Sequence, residues 1–130
     1  MKVLSLFDGI SCGMLALQRA GIPVECYDAF EIDKYAVTVS KRNFPVIVHH
    51  GNVYDGDFTQ FKGYDLLLGG SPCTYWSIAK KDREIDCDGE GFRLFQEYVR
   101  ALEESGCQYF LYENNYSVHQ NIKDEITRVL

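Results

Sequence analysis

Short apolar runs of strand length alternate along this chain with segments of helical period, and no hairpin turn joins one run to the next. That alternation constrains the fold more than any other feature. Strands separated by helices share a sheet only as parallel neighbours, each reached through a right-handed crossover. The expected class is α/β: an open, Rossmann-like parallel sheet with helices on both faces.

The elements follow from local chemistry. Lys2 to Phe7 is an apolar run closed by Asp8-Gly9, a strand and its turn. Leu15, Leu17 and Ala20 fall in a first helix that stops at Gly21, with Pro23 just beyond. Val24 to Phe30 is a second strand. Asp33 opens a helix through Arg42, ended by Pro45, and Val46 to His49 is a short third strand. Asp65 to Leu68 runs into Gly69-Gly70 as a fourth. Ser71 to Gly91 is a polar connection long enough to mark a functional loop. Phe92, Phe95, Val99 and Leu102 keep one helical face as far as Gly106. Tyr109 to Tyr112 is a fifth strand, and a final helix begins at Val118.

With 130 residues, 46% of them hydrophobic, the chain suits one domain spanning residues 1–130. No apolar stretch is long enough to cross a membrane and no leader precedes the first strand, so a soluble, cytoplasmic protein without a membrane partner is expected. Cys12, Cys26, Cys73, Cys87 and Cys107 form no CxxC pair and have no histidine at metal spacing, which points to free thiols and no metal. The formal net charge of −6 disfavours a domain that grips nucleic acid unaided, because phosphate contacts need Lys and Arg.

In an open parallel sheet, ligands bind beyond the carboxyl ends of the strands. The informative residues fall there, one group after each strand: Asp8, Gly9 and Gly13; Glu31; Asn52; Gly69 to Cys73; and Glu113-Asn114. Gly9 lets backbone approach a ligand, although the spacing is not that of a dinucleotide fingerprint. Glu31, about 20 residues downstream at the end of the next strand, is placed to accept hydrogen bonds from ribose hydroxyls. In GGSPCTYWS, Pro72 stiffens the turn and fixes the direction of Cys73. A lone cysteine is ordinarily a small buried hydrophobe, but a thiol on a preorganised loop over a cleft is accessible for attack. Glu113 ends a neighbouring strand. A thiol and a carboxylic acid together suit addition to an electron-poor ring, one attacking carbon and the other protonating a ring nitrogen.

These segments, in order, resemble the cytosine-5 DNA methyltransferase family, especially its bacterial and phage members of the restriction-modification type. LSLFDGISCG is similar to that family's first motif, which implies S-adenosylmethionine at Phe7, Asp8, Gly9, Ile10, Ser11, Cys12 and Gly13. YDAFEIDKYA resembles the second, with Glu31 on the ribose and Ile32 on the adenine. GNVYD places Asn52 and Val53 at the cofactor, and GGSPC adds Ser71 beside the catalytic Pro72 and Cys73. GEGFRLFQEYVRAL is similar to the helix behind the catalytic loop, and YENN to the motif that makes Glu113 the acid and Asn114 the residue holding Pro72 and its loop.

The resemblance implies the S-adenosylmethionine-dependent methyltransferase fold, truncated before its last strands, and DNA with a flipped cytosine as partner. It implies that Cys73 adds to carbon 6, Glu113 acts at ring nitrogen 3, and carbon 5 takes the methyl group before elimination frees the thiol. Transfer-RNA cytosine methylation, or a non-catalytic cofactor-binding fragment or subunit, are the alternatives.

The sequence departs from the family at Asn52 for Asp, Thr74 for Gln and Asn115 for Val. The first is expected to weaken cofactor binding without abolishing it. Trp76 is left open between DNA contact and scaffold packing. Lys80, Lys81 and Arg83, followed at once by Glu84, Asp86, Asp88 and Glu90, are read as a solvated loop. His49 and His50 are read as loop residues. The family's later motifs and its target-recognition domain are absent from this sequence. It is therefore expected to be a piece of a longer enzyme or one half of a split one, with little activity alone.

Overall fold

The computed structural model describes residues 1–130. Strands β1 (Lys2–Leu6), β2 (Cys26–Phe30), β3 (Val48–His49), β4 (Leu66–Gly69) and β5 (Tyr109–Tyr112) form one sheet in the order β3-β2-β1-β4-β5. Every pairing is parallel. Four α-helices intervene or follow: α1 (Cys12–Arg19), α2 (Lys34–Asn43), α3 (Glu90–Ser105) and α4 (Gln120–Val129). The strand order reverses between β1 and β4. That switch point opens a crevice at their carboxyl ends, where an α/β sheet takes its ligand.

Successive side chains of a strand point to opposite faces, and β1 shows why both faces need cover. Leu4 and Leu6 pack on one side with Phe58, Phe61, Tyr98 and Ala101. Val3 packs on the other with Met14 and Leu17 of α1, Tyr27, Ala29 and Ile47. The periodic face of α3 is buried through Phe92, Phe95, Tyr98 and Ala101. Its end is set by Gly106, left-handed at φ 64°, whose N–H returns to the Leu102 carbonyl. Asp33 caps α2 by accepting from the Tyr35 and Ala36 amides.

Local departures from the sequence reading have local causes. β1 stops at Leu6 because Phe7 turns left-handed at φ 56°. β2 starts at Cys26 because Pro23 and Glu25 bond irregularly to Met1. β3 is an edge strand of two residues, with Val46 left outside it and exposed. His49 ends β3, as the strand reading had it, and so does not lie in a loop. Asn52 and Asp57 each cap a short 3-10 turn, Val53–Asp55 and Phe58–Phe61, unanticipated in the sequence. α3 begins at Glu90 and α4 at Gln120.

One side of the sheet is only partly covered. A groove of about 650 Å³ lies beside α1, lined among others by Leu17, Leu66, Leu68, Phe110 and Leu111. The outer edge of β5 has no strand partner. No helix is long and apolar enough to cross a membrane.

Candidate active site

The loop after β1 holds two non-glycine residues in the left-handed region, Phe7 (φ 56°) and Ser11 (φ 69°), on either side of Gly9 (φ 59°). Such residues persist only where their surroundings fix them. Asp8 does so. One carboxylate oxygen accepts from the Ser5 hydroxyl and the Tyr27 phenol, each at 2.6 Å, and the other accepts from Ser11. Burial, and then the charge of Asp8, push the Tyr27 phenol far above its ordinary value. Because Ser11 spends its only proton on Asp8, Ser40 must donate to Ser11, and His49 Nε2 at 3.3 Å must then donate to Ser40. The opposite ring nitrogen of His49 is buried without a partner. Burial, and then Lys41, lower the pKa of that imidazole.

Glu31, at the end of β2, locks this loop to the next. Oε1 accepts the Gly9 amide at 2.8 Å, while Oε2 accepts the Ile32 and Asp33 amides at 2.8 and 3.0 Å. Glu31 and Ile32 open onto a cleft of about 310 Å³. Phe7, Asn52 and Val53 also line it, and Pro72 and Thr74 stand in its wall, on either side of Cys73. Asn52 Oδ1 accepts the Tyr54 amide at 3.0 Å. An N–H pairs only with the oxygen of an amide, so the amino end of Asn52 is the free one.

Cys73 is exposed at the start of a 3-10 turn, Cys73–Tyr75, whose Cys73 carbonyl accepts the Trp76 and Ser77 amides. Glu113 follows β5, and its Oε2 lies 3.2 Å from the point where a Cβ on Gly70 would stand. Its carbonyl oxygen lies 2.3 Å from that point, so a side chain at residue 70 is excluded. Asn114 Nδ2 donates to the Ser71 carbonyl at 2.9 Å, tying the strand-end acid segment to the base of the Cys73 loop. Ser71 itself is buried, its hydroxyl 2.7 Å from the Tyr112 phenol.

The residues expected at a cofactor therefore separate. Phe7, Glu31, Ile32, Asn52 and Val53 line the cleft, and Gly9 reaches it through Glu31. Half-buried Asp8 and buried Ser11 form the support below, and Ser71 is enclosed between β4 and β5. Ile10 is exposed outside the cleft, while Cys12 and Gly13 border the groove beside α1. Gly13 is needed for packing, since a Cβ there would come within 2.8 Å of the Tyr27 hydroxyl.

Sequence reasoning missed Phe30, Gly51, Tyr54, Tyr75, Glu90 and Leu94, which complete the cleft. Glu90 and Leu94 are one helical turn apart on α3, a spacing with nothing to separate it from ordinary amphipathicity. Tyr54 donates to Glu90 at 2.6 Å, and burial followed by that bond pushes its phenol up to about 12. Trp76 is scaffold: it is fully buried with Phe92, Phe95, Val118 and Ile122. Burial, then Glu125, Asp86 and Asp88, push the Cys87 thiol up.

A family model described as C-5 cytosine-specific DNA methylase matches residues 1–130. The orphan methyltransferase M.SPRI of Bacillus phage SPR is 36% identical over 116 residues, covering 88% of this chain and 26% of the phage protein. The type II methyltransferase M.HgiCII of Herpetosiphon aurantiacus is 34% identical, over 87% of this chain and 25% of its own length. The chain thus spans about a quarter of the length of these curated relatives. Among solved structures, a DNMT2 mutant of Spodoptera frugiperda superposes with TM-score 0.71 at 23% identity, over 98% of this chain and 40% of that one. The S. pombe Dnmt2 methyltransferase gives 0.67 at 18% identity, over 99% and 41%. These two likenesses establish the fold. With the family matched from end to end, the chain belongs to the C-5 cytosine-specific DNA methylases.

Proposed function

We propose that this chain is the cofactor-binding and nucleophile-bearing part of an enzyme that methylates carbon 5 of cytosine in DNA, with S-adenosylmethionine as methyl donor. The observation that carries the reading is one cleft whose walls come from both halves of the sheet. Phe7, Glu31, Ile32 and Asn52 stand on one side, and Pro72 and Thr74, the neighbours of Cys73, on the other.

The cleft fits the cofactor by its chemistry. Apolar Phe7, Ile32 and Leu94 suit a purine face, and the carboxylate of Glu31, already fixed by three backbone amides, suits a ribose diol. When bound, S-adenosylmethionine supplies an electrophilic methyl group on a sulfonium. Asn52 presents its amino end and so donates to a ring nitrogen of adenine, where a carboxylate would accept from the exocyclic amine.

Cys73 is the nucleophile. Its thiolate adds to carbon 6 of a cytosine taken out of the duplex, and carbon 5 gains the electron density that accepts the methyl group. Glu113 holds the proton at ring nitrogen 3 that offsets charge developing in the ring. Loss of the proton at carbon 5 then expels Cys73. Asn114 keeps the Cys73 loop at the end of β4 through the Ser71 carbonyl.

The net charge of −6 supports a DNA grip carried mostly outside this chain, and its share of the relatives' length is consistent with that. Target recognition belongs to those further segments or to a second subunit. The test is calorimetric titration of the chain with S-adenosylhomocysteine, followed by methyl transfer from a protein that carries its remaining segments. Duplex DNA should be methylated and transfer RNA should not. Transfer RNA as the preferred acceptor would move the enzyme to the other substrate. A chain that binds no cofactor would remove the reading.

A further inference from the structure

Two consecutive residues of the charged loop after Cys73, Arg83 and Glu84, are half-buried and fold back onto the protein. Glu84 Oε1 accepts the Glu90 amide and Oε2 the Gly91 amide, both at 3.0 Å, at the first turn of α3. The helix's own cap residue, Gly89, has no side chain to satisfy those donors. The backbone N–H of Glu84 meanwhile donates to the Tyr75 carbonyl at 2.9 Å, within the turn that begins at Cys73. Arg83 points the other way: its Nη1 donates to the Ser117 carbonyl at 2.7 Å, in the segment that carries Glu113 and Asn114.

The start of α3 is cleared to receive this arrangement. A Cβ on Gly89 would stand 2.2 Å from the Glu84 carboxyl carbon, and all three of its nearest atoms belong to that carboxylate. A Cβ on Gly91 would meet the Trp76 indole nitrogen at 2.6 Å and Glu84 Oε2 at 2.8 Å. Trp76 is fully buried, and its amide donates to the Cys73 carbonyl at 3.0 Å. A carboxylate at a helix N-terminus is favoured both by the charge-assisted bonds and by the aligned peptide dipoles.

We propose that Arg83 and Glu84 are a clasp that positions Cys73. Glu84 joins the nucleophile's turn to α3, and Arg83 joins the same loop to the segment bearing the acid. Both are positioning residues, acting through Tyr75, Trp76 and Ser117 and touching no reacting atom. The functional meaning of the clasp rests on the methyltransferase reading, but its test uses neither DNA nor cofactor, so failure of one is distinguishable from failure of the other.

Trp76 is the single tryptophan of the chain, and Cys12 is a second exposed thiol that none of the clasp contacts involves. Tryptophan quenching by acrylamide and the ratio of Cys73 to Cys12 alkylation therefore read the loop against an internal reference. Glu84→Ala and Gly89→Ala should each raise quenching and shift the alkylation ratio by about threefold or more, with the far-ultraviolet dichroism unchanged. Added to Glu84→Ala, Gly89→Ala should have no further effect, because the carboxylate it displaces is gone. Arg83→Met should shift the same ratio and carries the test if Glu84→Ala does not fold. An alkylation ratio unchanged in the folded variants would reduce Glu84 to an ordinary helix cap and overturn the proposal. Additive effects of the Glu84 and Gly89 substitutions would do the same.

Discussion

Asp8 and Glu31 are carboxylates at the same end of the sheet with different tasks. Asp8 uses both oxygens on Ser5, Ser11 and Tyr27, and so maintains the left-handed turn without reaching the cleft. Glu31 holds backbone amides and also borders the cleft. Asp8→Ala should therefore lower stability by about 2 kcal/mol, since it strands buried hydroxyls. Glu31→Ala should cost less stability and weaken S-adenosylhomocysteine binding by about tenfold or more. Denaturant melts and calorimetric titration of the two variants measure the contrast. His49 adds a pH dependence. Its folded pKa is lowered, so the unfolded state binds the proton more readily. Stability is complete above the unfolded value of about 6.5 and falls as pH drops through it towards the folded one. A melting series from pH 7.5 to about 5 should show that loss, and His49→Gln should flatten it. At this scale the sequence pointed to Glu31 as a cleft residue, because a carboxylate one strand beyond a glycine turn has a chemical use, and Glu31 does border the cleft. It could not separate Glu31 from Asp8, since both are acids at strand ends and only the partners of each oxygen distinguish them.

Among the elements, α3 carries more than its amphipathic face suggests. Arg100 donates to the Val53 and Gly56 carbonyls at 3.0 and 2.9 Å, and its guanidinium lies 4.4 Å from the centre of the Phe58 ring. Glu104 accepts the Phe58 amide at 3.1 Å. Together they fasten both 3-10 turns behind the cleft wall formed by Asn52, Val53 and Tyr54. Arg100→Met should cost about 1–3 kcal/mol and weaken cofactor binding as the wall loosens, readable in a denaturant melt and a titration. The strands and the long helices were legible because burial imposes a period on the sequence. The 3-10 turns were not, because Asn52 and Asp57 act through caps that any polar loop could contain. Arg83 and Glu84 were hidden for a related reason: in a run of alternating charges, nothing local marks the two that fold back.

For the molecule as a whole, β1 is the buried centre of the sheet and β5 is an open edge, where Phe110 and Leu111 remain exposed. A surface of that kind is ordinarily covered by another segment. The isolated chain should bind an apolar dye or self-associate, and a longer protein containing this chain should do neither, a difference that fluorescence and light scattering report. The parallel order and the placement of one functional group after each strand were legible, since both follow from crossover topology. No element of these residues packs over Phe110 and Leu111, and no pattern in the sequence marked that face as open. A protein carrying this chain with its remaining segments should be incubated with duplex DNA containing 5-fluorocytosine and S-adenosylmethionine, then resolved under denaturing conditions. A stable protein–DNA adduct that is lost in Cys73→Ser is the predicted result. No adduct from an enzyme that methylates ordinary DNA, or an adduct that survives Cys73→Ser, would contradict it.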